Sequence, residues 1–336
     1  MVLANTSFNG CFRIESDSVM GQGSFSIVYE ASCLKDETKY AVKCLKKNNM
    51  NQDEILSLMD EVSILQELTP LCHPSIIPLH NFFEESSMFY LVMEAMVGGE
   101  LFDRIAVKQF YSEKEARDVC KIILNSVDFL HSRKVAHRDL KPDNFLLVSA
   151  QNDALVKLGD FGFSKRCNDN ANSGLGDLKT QLGTPAYIAP EILDKAPFYG
   201  SQCDMWSVGV IMYVLLGGYE PFYEAHKEEM YRKIMKGDFE FHSDCWGDVS
   251  MDAKILISSL LEVDPSKRLS ARDALRSKWI CTDDKLLAEN DLTTTNFCKL
   301  KKYNAKRKVR AVVHSLIAVN KLNIMRQSKK LAEETS

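Results

Sequence analysis

HRDLKPDN at positions 137–144 and GDFG at positions 159–162 are the two stretches that decide the fold of this chain. Asp139 and Asn144 are five positions apart, and Asp160 follows a strand-like segment. Carboxylate and amide oxygens are ligands that suit Mg²⁺, and the phosphates of a nucleotide would complete its coordination. The two stretches therefore predict a site for a magnesium–nucleotide complex.

A two-glycine turn at positions 21–24, Gly-Gln-Gly-Ser, lies between two strand-like segments nearer the start of the chain. Glycine lets the backbone approach phosphate oxygens closely, and the amide N–H groups of such a turn can point at negative charge. A plain hairpin explains the same turn. No helix and no Gly-Lys-Ser/Thr follow it, which argues against dinucleotide-binding and Walker-type sites. Lys43 follows at the distance that brings its ammonium beneath the turn, and Glu61 on the next helix is placed to pair with it.

With Ala189-Pro190-Glu191 farther on, these motifs stand in order and at the right spacing, and the chain resembles the eukaryotic protein kinases. The resemblance implies an α+β fold of two lobes with a basic helical tail. The expected divisions are a β-rich N-lobe at 1–93, a hinge at 94–98, a larger helical C-lobe at 99–281 and the tail at 282–336.

Hydrophobic patterns agree with these divisions. Apolar positions at helical spacing over 53–68 predict a helix. A capping box at 112–115, Ser-Glu-Lys-Glu, predicts a second helix that ends near Ser132. A third helix over 204–216 is apolar nearly all round and therefore buried. Strands are predicted at 11–18, 26–32, 39–44 and 89–93.

Residue by residue, the resemblance implies a phosphotransferase. Asp139 would accept the proton of the substrate hydroxyl, and Lys141 would steady the transferring phosphoryl group. Asn144 and Asp160 would hold Mg²⁺. Kinase folds that have lost activity commonly lack one of five residues, and all five are present here: Lys43, Glu61, Asp139, Asn144 and Asp160. The resemblance therefore implies an active enzyme, with a catalytically silent scaffold as the alternative from another class.

The second implied cofactor is ATP. Lys43 would hold its α- and β-phosphates while paired with Glu61. The other expected nucleotide-binding residues belong to the glycine turn, the following strands, the hinge and its exit: Gly21, Gln22, Gly23, Ser24, Val28, Ala41, Met93, Glu94, Met96 and Glu100.

Two features indicate a Ser/Thr kinase rather than a Tyr kinase. Lys141 follows Asp139 by two positions, and Thr184 lies in the segment that resembles the substrate seat. The resemblance also implies a structural ion pair between Glu191 and Arg268.

Arg138 precedes the expected catalytic aspartate, and a buried arginine there needs an anion. A phosphate on the activation loop would supply it. Thr180, four residues before Thr184, is the expected position, with Ser173 as its rival. An upstream activating kinase would then be a partner.

The stretch 97–102, Val-Gly-Gly-Glu-Leu-Phe, and the stretch 160–165, Asp-Phe-Gly-Phe-Ser-Lys, resemble the calcium/calmodulin-dependent kinase group. In that group, the residue matching Glu100 contacts the nucleotide ribose and a basic residue upstream of the target. Asp143 would add a second acidic contact. Protein substrates with Arg or Lys about three positions before the Ser/Thr are therefore expected. The alternative, that Glu100 only caps the next helix, is compatible with this preference.

The charge of the chain is unevenly distributed. Residues 299–330 contain 11 Lys or Arg and no Asp or Glu, whereas the remainder has 31 basic and 46 acidic residues, a net charge of −15. The basic segment 299–310 resembles the regulatory segment of calmodulin-dependent kinase type II. An apolar helix face follows it, at Val309, Val313, Leu316 and Leu322, and suits the groove of calcium-loaded calmodulin.

Calmodulin is therefore the expected partner, rather than nucleic acid or an anionic membrane. We also expect the tail to block the cleft when calmodulin is absent. Asn296 stands where type II enzymes have a self-phosphorylated threonine, so no calcium-independent state is expected. The sequence contains no EF-hand, and an enzyme with calcium-binding domains beyond Ser336 is the alternative. A monomer is expected because no oligomerising domain follows.

Composition excludes several classes of protein. At 336 residues, with 45% hydrophobic and 26% charged residues, the chain is globular rather than disordered. Its 10 cysteines include no CxxC pair, so neither a zinc site nor a disulfide framework is indicated. The start has no secretory signal, and the apolar stretch 205–217 is too short to span a bilayer. A soluble protein of the cytoplasm or nucleus is expected.

Overall fold

The computed structural model describes residues 7–22, 26–108, 111–167, 185–194, 200–224, 226–293 and 296–310. Several predicted positions lie outside these ranges: Gly23, Ser24, Ser173, Thr180, Thr184, Val313, Leu316 and Leu322. In the part of the chain that is described, no helix combines the length and the apolarity that a membrane crossing requires.

The backbone divides into two compact units. The first comprises the residues up to Ile55, residues 79–95 and the described residues from Asn304 onward. The second comprises residues 56–78 and 96–303. The larger sheet lies in the first unit and most of the helices lie in the second, so the predicted α+β class is confirmed.

The first unit contains a five-stranded antiparallel sheet with the strand order β1-β2-β3-β5-β4. The sequence did not indicate β4, because His80 and Asn81 interrupt its apolar pattern. The strands are β1 (Phe12–Gln22), β2 (Ser26–Cys33), β3 (Lys39–Lys46), β4 (Leu79–Glu84) and β5 (Met88–Glu94).

One face of this sheet is covered by aromatic side chains. The Phe8 ring stacks on Tyr90 at 4.2 Å and on Phe12 at 5.7 Å between centroids. Beneath them lie Val42 and Val92, both fully buried. Because side chains alternate along a strand, the other face is left for residues of odd number on β3 and β5.

The second unit carries two small sheets and most of the helices. Its strands are β6 (Gly99–Glu100), β7 (Val135–Ala136), β8 (Phe145–Ser149), β9 (Asn152–Leu158) and β10 (Lys165–Arg166). The helices are α1 (Gln52–Leu68), which begins in the first unit, α2 (Leu101–Ala106), α3 (Glu113–His131), α4 (Pro190–Leu193), α5 (Gln202–Gly217), α6 (Lys227–Lys236), α7 (Ser243–Trp246), α8 (Met251–Leu260), α9 (Ala271–Ala274), α10 (Lys278–Cys281) and α11 (Asp284–Glu289).

The predicted capping box at the start of α3 is present. Ser112 Oγ accepts a hydrogen bond from Glu115 N at 3.3 Å, and Ser112 N donates to Glu115 Oε2 at 3.1 Å. These bonds satisfy two backbone donors at the start of the helix. The prediction that this helix ends near Ser132 is also confirmed.

Glu113, the first residue of α3, is a fully buried carboxylate that joins four segments. Trp279 Nε1 donates to its Oε1 at 2.6 Å, and Asn290 Nδ2 donates to its Oε2 at 2.7 Å. Ser250 donates to the same carboxylate through both its backbone N–H and its hydroxyl. Burial of the charge is thus compensated by several hydrogen bonds.

The predicted structural ion pair is confirmed. Arg268, which is buried, donates to both carboxylate oxygens of Glu191, at 2.7 and 2.9 Å. The same guanidinium donates to the backbone carbonyls of Gln202, Glu262 and Val263. This bidentate geometry is the one that arginine favours, and it fixes the start of α5 against the loop that precedes α9.

Residues 296–310 form a further helix, which we call the tail helix. Its buried side chains Phe297, Leu300 and Tyr303 recur every three residues along one side. The Phe297 ring stacks on Tyr111 at 5.4 Å, and the Tyr303 hydroxyl is hydrogen-bonded to that of Tyr187. The start of the basic segment is therefore packed into the second unit.

The first residue of the tail helix, Asn296, packs closely against the backbone of Gly218. Gly218 has a φ of +78°, and a Cβ placed there would lie 2.4 Å from the carbonyl oxygen of Asn296. The Asn296 side chain donates to Leu216 O at 2.8 Å and to Cys245 O at 2.5 Å. Only glycine combines this conformation with this contact.

Replacing Glu113 by alanine should lower the free energy of unfolding by about 3 kcal/mol or more, because several buried donors lose their acceptor. Thermal and urea unfolding of the full chain measure the change. Glu289→Ala, at an exposed position on α11, is the matched control and should change stability little. Equal unfolding curves for the two variants would contradict the role assigned to Glu113.

Candidate active site

Four of the predicted nucleotide-binding residues share one face of the five-stranded sheet. Val28 is opposite Lys43 in the β2–β3 pair, and Ala41 is opposite Met93 in the β3–β5 pair. Directly opposite residues point to the same side, as do residues two apart on one strand. The structure therefore brings Val28, Ala41, Lys43 and Met93 together, away from the aromatic cluster.

Gly21 and Gln22 end β1 beside that face. Gly21 is opposite Val28, and Gln22 is opposite Ile27. A Cβ added at Gly21 would meet no atom within 4 Å. Among the described residues, none therefore fills the space next to the Gly21 Cα at this end of β1.

The hinge residues are distributed between the two units. Glu94 is the last residue of β5, whereas Met96 is buried in the second unit. Glu100 occupies the N-cap position of α2 without a capping hydrogen bond from its side chain. Helix capping thus does not account for the carboxylate of Glu100.

Glu61 lies on α1 in the second unit, and its side chain is buried. Lys43 is on β3 of the first unit. A buried carboxylate needs a compensating partner, and its pairing with Lys43 stays a prediction.

Asp139 and Lys141 lie in the loop formed by residues 137–144 of the second unit. Lys141 Nζ lies 2.6 Å from Asp139 Oδ2, and the Asp139 side chain is almost fully buried. Asn144, in a 3₁₀ turn at Pro142–Asn144, donates from Nδ2 to the backbone oxygen of Asp139 at 2.7 Å. This hydrogen bond links residues 139 and 144 within the loop. The Asp139 carboxylate and the Lys141 ammonium lie next to each other there.

Burial raises the pKa of Asp139 because it disfavours the charged form, and the nearby charge of Asp160 adds to the effect. The Lys141 ammonium acts in the opposite direction. For Lys141, burial alone would lower the pKa, but Asp139, Asp160 and Asp143 together raise it. Asp139 is thus a stronger base than an exposed aspartate, and Lys141 stays cationic.

Asp160 follows β9 next to this loop. Gly159 N donates to Asn144 O at 2.9 Å, and Gly159 O lies 3.0 Å from His137 Nε2. Asp160 itself has a φ of +54°. Left-handed backbone is uncommon outside glycine and is often retained at functional sites. The bonds at Gly159 hold the two motifs of the sequence together.

Asp204, at the start of α5, is a functional residue that sequence reasoning missed. Its fully buried carboxylate accepts from His137 N at 2.9 Å and from Arg138 N at 2.7 Å. His131 Nε2 lies 2.9 Å from its Oδ2. Burial alone would raise the pKa of Asp204, but the hydrogen bonds and the charge of His131 hold it below its usual value. The sequence signal was the one charged residue in the apolar run 203–217.

The residues present fit Mg²⁺ with a nucleotide. Because the Asn144 amide nitrogen is used by the backbone of Asp139, its side-chain oxygen is the atom left for a cation. That oxygen and the Asp160 carboxylate are hard ligands of the kind that Mg²⁺ takes alongside phosphates and water.

Comparisons with known proteins agree with this geometry. The protein kinase domain family matches residues 14–280. The chain is 41% identical over 288 residues to myosin light chain kinase A of Dictyostelium discoideum, covering 86% of this chain and 92% of that protein.

Two further relatives are longer proteins. Identity is 40% over 312 residues to calcium/calmodulin-dependent protein kinase type IV of Mus musculus, covering 93% of this chain and 63% of the relative. It is 36% over 324 residues to calcium/calmodulin-dependent protein kinase type II of Caenorhabditis elegans, covering 96% and 43%. The chain thus spans less than two thirds of the length of each of these two.

Asp204→Asn should reduce both stability and turnover, because an amide offers one acceptor oxygen where the backbone N–H groups of His137 and Arg138 need two. We expect the free energy of unfolding to fall by about 2 kcal/mol and kcat to fall more than KM rises. Unfolding curves and steady-state kinetics measure both, with Asp248→Asn, at an exposed position, as the control. An Asp204 variant with unchanged kcat would contradict the positioning role.

Lys141→Met should move the acid limb of the kcat/KM profile to higher pH, by about one unit or more. Without the ammonium, the pKa of Asp139 rises further, and a protonated Asp139 cannot accept a proton as the pH falls. The profile of each variant is normalised to its own plateau. Lys121→Met on the surface of α3 should keep the wild-type midpoint. A limb that stays in place, or moves to lower pH, would refute the assignment of Asp139 as the titrating base.

Proposed function

The chain belongs to the protein kinase family, within the calcium/calmodulin-dependent kinase group, and we propose that it transfers the γ-phosphate of ATP to serine and threonine residues of proteins. The observation that carries the proposal is the buried Asp139 carboxylate, which lies 2.6 Å from Lys141 Nζ in a loop where Asn144 donates a hydrogen bond to the backbone oxygen of Asp139. This arrangement provides a base and a cation at one point, which is what phosphoryl transfer to an alcohol requires.

The chain's own residues have defined tasks in this reaction. Asp139 orients the substrate hydroxyl and takes its proton, and its raised pKa favours that transfer. Lys141 offsets negative charge on the transferring group. Asn144 and Asp160 would hold Mg²⁺, which when bound would offset the negative charge of the phosphates. Most of the rate enhancement then comes from positioning and electrostatics.

ATP would lie against the face of the five-stranded sheet that carries Val28, Ala41, Lys43 and Met93. Val28, Ala41 and Met93 offer apolar contacts to the base, and Lys43 offers a cation to the phosphates. Glu94, the last residue of β5, would supply a backbone group to the adenine edge. Gly21 and Gln22, at the end of β1, would approach the triphosphate.

The preferred substrates have a basic residue upstream of the Ser or Thr. Glu100 supports this preference through the negative charge of its carboxylate at the start of α2. Asp143, next to Asn144 in the same 3₁₀ turn, adds negative charge close to Asp139. A phosphate on Thr180, added by an upstream kinase and facing Arg138, would raise activity further.

Calmodulin regulates the chain through the tail helix. In the docked state, Tyr303 is hydrogen-bonded to Tyr187, three residues beyond Thr184 of the predicted substrate seat. Val309, the first of the predicted apolar anchors, is 64% exposed at the far end of the same helix. Calcium-loaded calmodulin engages this end and draws the helix away from Tyr187, in the cytoplasm or nucleus.

A phosphorylation assay of the full chain tests these proposals, with Mg²⁺, radioactive ATP and a peptide bearing Arg three residues before its Ser. Calcium and calmodulin should raise the rate about tenfold or more, and Asp160→Ala should abolish transfer. Replacing the peptide arginine by alanine should raise KM.

Each negative result of this assay would contradict a different proposal. No transfer with calmodulin present would refute the kinase proposal. Equal rates with and without calmodulin would refute the regulation and leave the activity standing. Indifference to the peptide arginine would refute the substrate preference alone.

A further inference from the structure

Two side chains that the proposed reaction does not use, Cys245 of α7 and Lys299 of the tail helix, lie in direct contact. Lys299 Nζ is 2.6 Å from Cys245 Sγ and 2.8 Å from Asp244 Oδ2. All three residues belong to the second unit. A thiol and an amine are both nucleophiles, so the two groups can be joined only after one of them has been oxidised.

Other contacts keep this pair together. Phe297 and Leu300, on the same helix as Lys299, are buried. Asn296 Nδ2 donates to Cys245 O at 2.5 Å and so fixes the backbone of α7 against the start of the tail helix. The Lys299 side chain is 39% exposed, yet its amine is held next to the sulfur because both backbones are fixed.

A small oxidant can reach the pair, whereas a large thiol cannot. Asp244 and Lys299 are among the residues that line a polar cavity of about 470 Å³, which is ample for a molecule as small as hydrogen peroxide. Cys245 is only 2% exposed, and this burial shields its sulfur from glutathione. The exposed Cys298, in contrast, is open to both reagents. An oxidised Cys245 therefore meets the amine of Lys299 before it meets another thiol.

The chemistry that would join the two side chains has two steps. Hydrogen peroxide oxidises the Cys245 thiol to sulfenic acid: the S–O bond forms, the O–O bond breaks, and one water leaves. The Lys299 amine, after losing a proton to solvent, then attacks the sulfur. The S–N bond forms, the S–OH bond breaks, and the hydroxyl leaves as water with a second proton of the amine. Sulfur has supplied the two electrons that reduce the peroxide.

The protonation of both groups makes this reaction slow. The hydrogen bond to Asp244 raises the pKa of Lys299, and the contact with Cys245 adds to it. Burial raises the pKa of Cys245, and the opposing effect of the Lys299 ammonium is smaller. The thiolate and the free amine are the reactive forms. We therefore expect the bond after prolonged rather than brief exposure to peroxide.

We propose that Cys245 and Lys299 are a modification site at which a peroxide creates a sulfenamide bond between α7 and the tail helix. The inference goes beyond the proposed kinase function and does not depend on it. The exposed ion pair of Lys299 with Asp244 adds little to stability. The covalent bond, in contrast, closes a loop between residues 54 positions apart and keeps the tail helix on the second unit.

Mass spectrometry of the full chain tests the proposal. The chain is treated with hydrogen peroxide for several hours in mildly alkaline buffer, which supplies more thiolate and free amine, and is digested without reductant. The expected product is a peptide pair joined through Cys245 and Lys299, two hydrogen atoms lighter than its separate parts. Dithiothreitol added to the digest should separate the pair, because it reduces the S–N bond back to thiol and amine.

Two variants of the tail helix assign the bond to Lys299. Lys299→Arg keeps a positive charge next to Asp244 but replaces the amine by a guanidinium, which stays protonated. It should form no crosslink, and its Cys245 should carry sulfenic acid or its further oxidation products. Lys302→Arg, at an exposed position of the same helix, should crosslink like the wild type. Peroxide should raise the Tm of the wild type by about 2–5 °C relative to Lys299→Arg, because the bond restricts the unfolded chain.

A wild-type digest without this peptide pair, in which the exposed Cys298 is nevertheless oxidised, would overturn the proposal. A pair that retains an oxygen atom of the peroxide would also overturn it, because the condensation expels that atom. A crosslink of Cys245 that persists in Lys299→Arg would show that Lys299 is not its partner. None of these results involves phosphoryl transfer, so the proposed kinase function stands or falls separately.

Discussion

The loop at residues 137–144, which carries Asp139 and Lys141, depends on hydrogen bonds to the buried carboxylate of Asp204. This carboxylate holds the backbone N–H groups of His137 and Arg138 and contacts the ring of His131. Arg138 has a φ of +70°, a conformation that persists only when surrounding bonds fix it. The position of Asp139 next to Lys141 follows from that constraint, so the geometry of residues 137–141 is set by a carboxylate buried inside the second unit.

Much of the fold and of the candidate site could be predicted from the sequence, because motifs and caps are local. The capping box at Ser112 and the pair of Glu191 with Arg268 were predicted and are present. Strand β4 was missed because polar residues interrupt it. Asp204 was missed because its role depends on contacts with residues more than 60 positions away, which no local pattern encodes.

The tail helix combines two kinds of contact that composition alone does not separate. The charge count indicated a cationic segment directed at acidic surface. In the structure, one side of the helix is apolar and buried through Phe297, Leu300 and Tyr303, and Lys299 makes a weak ionic contact at its border. Apolar packing thus supplies most of the strength with which the tail helix is docked, and the exposed ion pair of Lys299 adds little.

Asn290 connects the segment that follows α11 to the first residue of α3. The tail was expected to begin at residue 282, yet the amide of Asn290 donates to the buried carboxylate of Glu113, and Leu292 N donates to the backbone oxygen of Tyr111. A recombinant fragment that ends at residue 281 would lack Asn290. The buried carboxylate of Glu113 would then lose one of its hydrogen-bond donors. Residues 284–293 therefore belong to the second unit and are bonded to α3 and the residues just before it, so removing them would disturb the start of that helix.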